Sequence, residues 1–540
     1  MSGTVIRPAT LPGLLLRNAR TMADKPAIRE KRHGIWQART WADHVRATRE
    51  LALGLAAIGF TRGDRLAILG DNRPALYQAE LAAMALGGVV VPCWPDANTD
   101  WLAQVLADAG VSIVIAEDQD QVEKLLEIKD RLPALRDIVF TDLRGVHHDD
   151  LSFIRSLADM VAEGAAIGAA EAMGGTLDLD AAIGAGSKDD VCLICYTTPA
   201  VGYARAVALT HADLLGAAEA VTRSNEVRPE DEYFAYLPTA WVAEQVYGVA
   251  LPLLTGFACS CPEDPETARR DLRELGPTIL LAPPRIWRSL LSEIESKAAH
   301  STPLKRRLCA RFLPAAYSAD TPARGGFLAE WLLAAPLRDQ LGLGRLRWAH
   351  TGGLTMAPYV QGFFTALGVN LSQGLVLAEH TGMAGLVTDL PGQADDARIE
   401  AALCHNMHIA DAVVVNGPGG GRAALIAIDT IAVGDWAQDR SLSFTTTDEL
   451  VSLPEVRELI RDQIAQGNAR LPDGLRVARY RLLGGLPAAT NAEASLSRVM
   501  QRRIALESTA ERADDIFANP PGPGIETVAA AATPVRERAA

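Results

Sequence analysis

The sequence predicts an α/β protein: a large N-terminal doubly wound α/β region of two subdomains, with a small α+β domain after it. Three observations predict this. From Leu11 to Phe140, short apolar runs alternate with helical patterns, which is the pattern of a mostly parallel sheet flanked by helices. The alternation resumes at Val191, after an Ala- and Gly-rich stretch (Val161 to Gly186) that has no clear period and reads as a connector. Beyond Glu400 two strands flank a glycine run and a helix follows. The expected partition is 1–185, 186–390 and 395–508, with a Pro-, Ala- and Gly-rich disordered tail over 509–540.

Each element has its own local reason. Leu11 to Arg20 reads as a first helix and Pro26 to Arg32 as a strand. Thr40-Trp41-Ala42-Asp43 opens an amphipathic helix to Ile58, with apolar residues at Val45, Leu51, Leu55 and Ile58. Gly63-Asp64 turns the chain into a strand, Arg65 to Leu69, and Asn72-Arg73-Pro74 starts a helix that ends at Gly87-Gly88. Strands follow at Val89 to Pro92, Ser112 to Ala116 and Asp137 to Phe140, separated by helices Thr99 to Ala109 and Gln119 to Lys129. Val191 to Tyr196 is a buried strand by its β-forming apolar run, Ala206 to Leu209 a second, and His211 to Ser224 a helix. In the last unit, strands ending at Val415 and beginning at Ala423 flank Asn416-Gly417-Pro418-Gly419-Gly420-Gly421, a hairpin turn rather than a nucleotide loop. Pro454 to Gln466 is a helix.

Composition narrows the function. The 540 residues are 49% hydrophobic and 22% charged, with a net charge of −14 and no basic patch, so nucleic acid is not an expected partner. Seven scattered cysteines, most in apolar runs, read as buried free thiols in a reducing cytoplasm. Cys192 and Cys195 have redox spacing, but both fall in a predicted buried strand and no second ligand pair follows. Met1 to Pro12 lacks an apolar leader core, and the longest apolar stretch, Val246 to Cys261, is broken by Pro252 and Gly256. The expectation is a soluble cytoplasmic protein without a transmembrane segment.

The stretch from Asp190 to Leu214 carries the functional signal. Tyr196, Thr197, Gly202, Val207, Leu209, Thr210 and His211 resemble the ATP-phosphate loop and following strand of the AMP-forming acyl-CoA synthetases, an adenylating superfamily. The resemblance extends over Trp36, Thr40-Trp41, Gly63 to Leu69, Asp71 to Pro74 and Glu117 to Lys124, which look like the long-chain fatty acyl branch. It implies ATP, Mg²⁺ and CoA as cofactors and a hydrophobic carboxylate or acyl-CoA as ligand. In the loop it implies Tyr196, Thr197, Thr198 and Gly202 as nucleotide-binding residues, with Arg205 at the position of the family's loop lysine.

Further along, Leu237 to Gln245 is similar to a motif at the family's acyl pocket, so Trp241 either lines that pocket or is a core tryptophan at a helix start. Ala282-Pro283-Pro284-Arg285-Ile286-Trp287 matches a second family segment. Gly352-Gly353 resembles the turn that approaches adenine, although a plain strand-end turn reads equally well. Gln373, Gly374, Leu375 and Glu379 fall on the family's Gln-x-Tyr-Gly-x-Thr-Glu pattern. Gln373 and Leu375 are then nucleotide candidates and Gly374 a pocket candidate. Glu379 is the implied Mg²⁺ ligand and catalytic residue, or else a remnant making a structural hydrogen bond. Arg498 is the cation nearest the position of the family's adenylation lysine.

The departures from the family have physical content. Pro199 stands where a loop glycine belongs and removes an N–H donor from a phosphate cradle. Ala200 and Val201 replace hydroxyls, Arg205 replaces a point charge with a planar fork, and Leu375 replaces the tyrosine that stacks on adenine. No Thr-Gly-Asp triplet occurs, only 20 residues separate Glu379 from Glu400 where the family has a barrel subdomain, and Lys305 is the last lysine. Three readings follow: a synthetase of reduced or altered activity, a non-enzymatic acyl- or CoA-binding or regulatory protein, or a decayed product with no defined role. In the second the protein forms a homo- or hetero-oligomer with an active synthetase. None of the three cofactors need be bound in the last two.

Overall fold

The computed structural model describes residues 9–142, 152–171, 179–197, 205–299, 307, 333–352, 356, 358–375, 394–404, 408–416, 421–483, 516–518 and 525–527. They form two seven-stranded sheets and one of four strands, with helices between them.

The first sheet runs Ile154–Ser156, Asp137–Phe140, Ile113–Ala116, Arg65–Leu69, Val89–Cys93, Val191–Thr197, Arg205–Thr210. All neighbours are parallel except the closing hairpin of the last two. Its central strands are buried along their length because helices cover both faces, which is why they read as continuous apolar runs. Side-chain caps fix the helix starts. Thr40 and Asp43 form a reciprocal capping box on helix Trp41–Ala57, Thr210 and Asp213 do the same on His211–Ser224, and Asn98 and Asp118 cap Thr99–Ala109 and Gln119–Glu127.

The second sheet runs Leu371–Leu375, Trp348–Gly352, Ile279–Leu281, Glu232–Phe234, Ala258–Cys261, Pro26–Arg32, Ile35–Thr40. Sheet membership therefore crosses the expected boundary at residue 185 in both directions. The hairpin 26–40 belongs to the second sheet, and strands Val191–Thr197 and Arg205–Thr210 belong to the first. Strand partners are chosen by long-range pairing, here Ile28 beside Cys259 and Val90 beside Leu193, which no local pattern encodes.

The connector expected over Val161 to Gly186 is instead largely helical, with helices Leu157–Glu171 and Leu179–Gly184. Its Ala and Gly residues serve close packing. A Cβ at Gly164 would lie 1.7 Å from the Glu50 carbonyl oxygen, and one at Gly54 would lie 2.4 Å from that of Met160. The backbones of helices Trp41–Ala57 and Leu157–Glu171 thus touch directly, a contact only glycine permits.

The small sheet runs Ile409–Asn416, Arg422–Ile428, Arg479–Leu483, Ile525–Thr527. The first pair is antiparallel with Asn416 opposite Arg422, the geometry expected of strands joined by a hairpin turn. Helices Ala394–Leu403 and Pro454–Ala469 pack on one face around Ile399, Ile426, Ile460 and Tyr480. The tail expected to be disordered from residue 509 contributes the edge strand Ile525–Thr527, and Ile516 is buried against Val413 and Leu425. A three-residue strand in a Pro- and Gly-rich setting carries no usable sequence period, so its pairing was not legible.

Candidate functional site

In doubly wound sheets, ligands sit beyond the carboxyl ends of the strands where the strand order reverses. The second sheet reverses between Glu232–Phe234, from which the chain goes first to Ala258–Cys261 on one side, and Ile279–Leu281 on the other. Past those two carboxyl ends lie the segments Leu237 to Gln245 and Ala282 to Trp287. The first sheet reverses between Arg65–Leu69 and Ile113–Ala116, past which lie Asp71 to Pro74 and Glu117.

The two carboxyl edges meet. Arg73 donates to Glu117 Oε1 (2.7 Å) on its own sheet and to the carbonyls of Pro262 and Glu263, which follow strand Ala258–Cys261 of the other. Glu117 Oε2 accepts from the Asp71 amide at 2.6 Å. Asn72 donates to Glu244 Oε1 at 3.2 Å. Trp241 is half-buried and packs against the core between the two sheets and against the core on the other face of the first. The site is therefore a seam between two switch points.

The seam is rich in buried carboxyls. Glu244 is fully buried and accepts from Tyr233 Oη (2.6 Å), Tyr77 Oη (3.0 Å) and Asn72. Burial pushes its carboxyl up to about 8 against the lowering effect of those hydrogen bonds. Glu80 is likewise buried and pushed up to about 8, with one oxygen accepting from Gln245 (2.8 Å) and the other without a partner among the described residues. Asp71 is raised to about 7, first by burial and then by Glu117. Gln245 opens a π-helix, Gln245–Ala250, in which a Cβ at Gly248 would lie 2.5 Å from Glu244 Oε1. Glycine makes room there for the carboxylate. Near the same strand ends, Tyr236 Oη, Thr239 Oγ1 and Thr351 Oγ1 are buried without hydrogen-bond partners among the described residues.

The predicted site residues distribute over this seam unevenly. Thr197 and Arg205 are opposite each other at the end of the Val191–Thr197 and Arg205–Thr210 pair, on the carboxyl edge of the first sheet. Tyr196 is buried and donates to Asp108 Oδ2 at 2.7 Å, so its hydroxyl is committed to helix Thr99–Ala109. Gly352 lies opposite Leu375, and Thr351 opposite Gln373, which brings the two adenine candidates together at adjoining strand ends. Gly374 lies between them on strand Leu371–Leu375. Thr198, Gly202, Gly353, Glu379 and Arg498 lie outside the described residues. The thiols of Cys192 and Cys195 are buried in the strand, as the sequence implies.

Sequence reasoning missed the polar seam itself. Asp71-Asn72-Arg73 and Glu117 carried the resemblance without a role, although a charged group directly past a strand end in this fold class was the available signal. It also missed Arg288, one turn into helix Pro284–Ala299. Arg288 donates to the carbonyls of Ile409 and Ala410 and lies 3.9 Å from Asp429, so it ties the small unit to the helix that leaves the switch point. A shallow crevice bordered by Met84, Gly88, Val191 and His211 lies at the amino ends of the first sheet's strands, away from this seam.

The described charges at the first sheet's carboxyl edge are mostly carboxyls, and Arg73 already serves Glu117 and two carbonyls. No three His, Cys, Asp or Glu side chains among the described residues are grouped to hold a metal ion. No described helix is long and apolar enough to cross a membrane.

Comparison with known proteins agrees with the geometry. The family model described as AMP-binding enzyme matches residues 15–420. The chain is 24% identical over 391 residues to the long-chain-fatty-acid–CoA ligase ACSBG1 of Mus musculus, covering 70% of this chain and 53% of that protein. It is 25% identical over 411 residues to the long-chain-fatty-acid–CoA ligase heimdall of Drosophila melanogaster, covering 71% and 59%. The chain thus spans little more than half the length of these curated relatives. Among solved structures, the A domain of a carboxylic acid reductase from Segniliparus rugosus superposes with a TM-score of 0.70 at 13% identity, covering 95% of this chain and 94% of that one. The adenylation domain of a carboxylate reductase from Mycobacterium chelonae gives 0.68 at 15%, covering 94% and 91%, which shows the shared adenylation-domain fold. With three quarters of its length inside the family model and its switch-point seam where the fold class places ligands, this chain belongs to the AMP-binding enzyme family.

Proposed function

We propose that this is a long-chain fatty acyl-CoA ligase-family protein whose acyl adenylation is impaired or absent, and which keeps a site for a hydrophobic carboxylate or acyl-CoA. The family reaction joins a carboxylate to ATP and then to CoA, releasing AMP and pyrophosphate. Positioning and charge neutralisation do most of that work. One such electrostatic partner is typically worth ~10²–10³ in rate. The observation that carries the reading is the simultaneous replacement of these partners. Pro199 and Arg205 stand in the loop, Leu375 at the adenine position, and no lysine follows Lys305. Any remaining ligase activity would run through Arg205, Glu379 and Arg498. As a pseudoenzyme the protein would act by ligand binding, or by pairing with an active synthetase.

Calorimetry with Mg-ATP, palmitate and palmitoyl-CoA tests this. The reading expects no saturable Mg-ATP binding and clear binding of the acyl ligand. Saturable Mg-ATP binding followed by AMP release with palmitate and CoA would overturn it.

A further inference from the structure

Three neighbouring strands of the second sheet reach its carboxyl edge in step. Tyr233 pairs with Ile279, and Ile279 with Trp348. Three residues further on, Tyr236, Ala282 and Thr351 leave these strands at one level. Alternation along a strand puts them on the face that carries Phe234, Leu280 and Ala349. The backbones of Tyr236 and Thr351 are then about 10 Å apart, two strand spacings. Ala282 places only a methyl group between the two side chains that carry hydroxyls. Tyr236 stacks on Phe234 with ring centroids 5.4 Å apart, and Thr351 is 2% exposed. Tyr236 Oη and Thr351 Oγ1 are both buried without a hydrogen-bond partner among the described residues. Two orphaned hydroxyls on one row of a ligand-binding edge point to an acceptor that is not part of the chain. Burial holds the Tyr236 phenol well above its ordinary value, so it remains a neutral donor.

The cation of this row is Arg285. Pro283 and Pro284 bring no N–H to the start of helix Pro284–Ala299, so an anion there is met by side chains. Arg285 is exposed and makes no hydrogen bond or ion pair among the described residues, unlike Arg288, which serves the carbonyls of Ile409 and Ala410. The chain around Arg285 lowers its guanidinium by removing water, while Tyr236 and Asp411 raise it, so the cation is within electrostatic reach of the orphaned phenol. We infer that Tyr236, Thr351 and Arg285 form a carboxylate-binding site at the carboxyl edge of the second sheet, the two hydroxyls and the guanidinium donating to the two oxygens of the ligand's head group. This rests on the proposed binding of a hydrophobic carboxylate and assigns the residues that hold it. A carboxylate has about four lone-pair sites for such donors, and a guanidinium fork matches its two oxygens. Phe234, Met356 and Phe364 of the adjoining apolar cluster keep the surroundings dry, which strengthens each bond.

Calorimetry on the full chain with palmitate, and with hexadecanol as the uncharged control, tests this. Arg285→Gln and Tyr236→Phe are each expected to weaken palmitate at least ~10-fold, and Thr351→Val at least ~3-fold, while hexadecanol stays within twofold of wild type. A second measurement separates this role from a structural one. Because both hydroxyls are orphaned in the protein alone, the urea midpoints of Y236F and T351V without ligand should equal or exceed that of wild type. Palmitate binding that is unchanged in R285Q and Y236F would overturn the inference and leave the proposed acyl binding standing. Equal weakening of palmitate and hexadecanol, or lower urea midpoints in both hydroxyl variants, would overturn it as well. A wild-type chain that binds neither ligand would overturn both readings together.

Discussion

Replacing Gly164 by alanine should destabilise the protein, although it raises helix propensity. Gly164 is buried on helix Leu157–Glu171, and its Cβ would lie 1.7 Å from the Glu50 carbonyl oxygen and 2.8 Å from the Gly54 nitrogen. Both are backbone atoms of helix Trp41–Ala57, so no rotamer change relieves the clash. To reach even a tight 3.0 Å contact, the helices must part by roughly 1.3 Å along their shared interface. Overpacking of this kind costs ~1–3 kcal/mol, and backbone against backbone places it at the upper end. The propensity gain of alanine over glycine returns at most about 1 kcal/mol. A net loss of about 2 kcal/mol corresponds to ~30-fold faster hydrogen exchange of the Trp41–Ala57 amides if these open as one unit. Gly168→Ala is the control. On the same helix its Cβ would meet only the end of the Leu53 side chain, at 3.1 Å, so exchange should stay the same or slow. Equal protection in wild type and G164A, or equal slowing in both variants, would refute direct backbone contact between these helices.

Three further outcomes follow from the site. The Glu80 carboxyl is raised to about 8 by burial, so between its unfolded value near 4.5 and about 8 the folded chain holds a proton the unfolded chain has released, and stability falls as pH rises through that window. Buried His44, His211 and His350, lowered to about 4, act only below pH 6.5, so urea midpoints between pH 6.5 and 8.5 should fall less steeply in Glu80→Gln than in wild type. Tyr196→Phe removes the bond to Asp108 and should cost ~1 kcal/mol in urea unfolding while leaving acyl-ligand affinity within twofold, whereas a large loss of that affinity would show a role for Tyr196 beyond its bond to Asp108. Arg288→Ala removes the donors to Ile409 and Ala410, and limited proteolysis between the large and small units should accelerate about tenfold, with the Pro26–Arg32 region unchanged.

The sequence made most elements of the first sheet legible because their signals are local. Thr40, Asn98, Asp118 and Thr210 cap the helices they begin, and the strands between are short apolar runs with turn residues at their ends. What stayed hidden depends on partners distant in the chain. Strand Ile35–Thr40 is half polar and has a place only because Pro26–Arg32 pairs with Ala258–Cys261 on its other side. Helix Leu157–Glu171 lacks a sharp apolar stripe because its glycines meet another backbone instead of offering side chains. At the site, the resemblance located Gly352, Gln373 and Leu375, which the structure does bring to adjoining strand ends. It did not show that Tyr196 is tied to Asp108, because a hydroxyl's partner across a core has no sequence period.

The fold and the family chemistry rest on different residues, and that difference makes the proposed loss of adenylation physically easy. The seam is held by Asn72, Tyr77, Tyr233 and Glu244, a buried polar group whose removal would strand several donors at once and cost stability directly. Arg73 and Glu117 join the two carboxyl edges in the same way. By contrast, a loop glycine, a loop lysine or an adenine-stacking tyrosine contributes little to the core, so Pro199, Arg205 and Leu375 can stand in those positions while both sheets keep their registers. A chain relieved of binding ATP would keep its switch points and its polar seam, since these hold the two sheets together. Asp71 and Glu244 in that seam are both pushed toward neutrality by burial. If the protein does adenylate, these two groups must become hydrated or acquire a cation when nucleotide arrives, and Mg-ATP would then raise stability more at pH 8 than at pH 6.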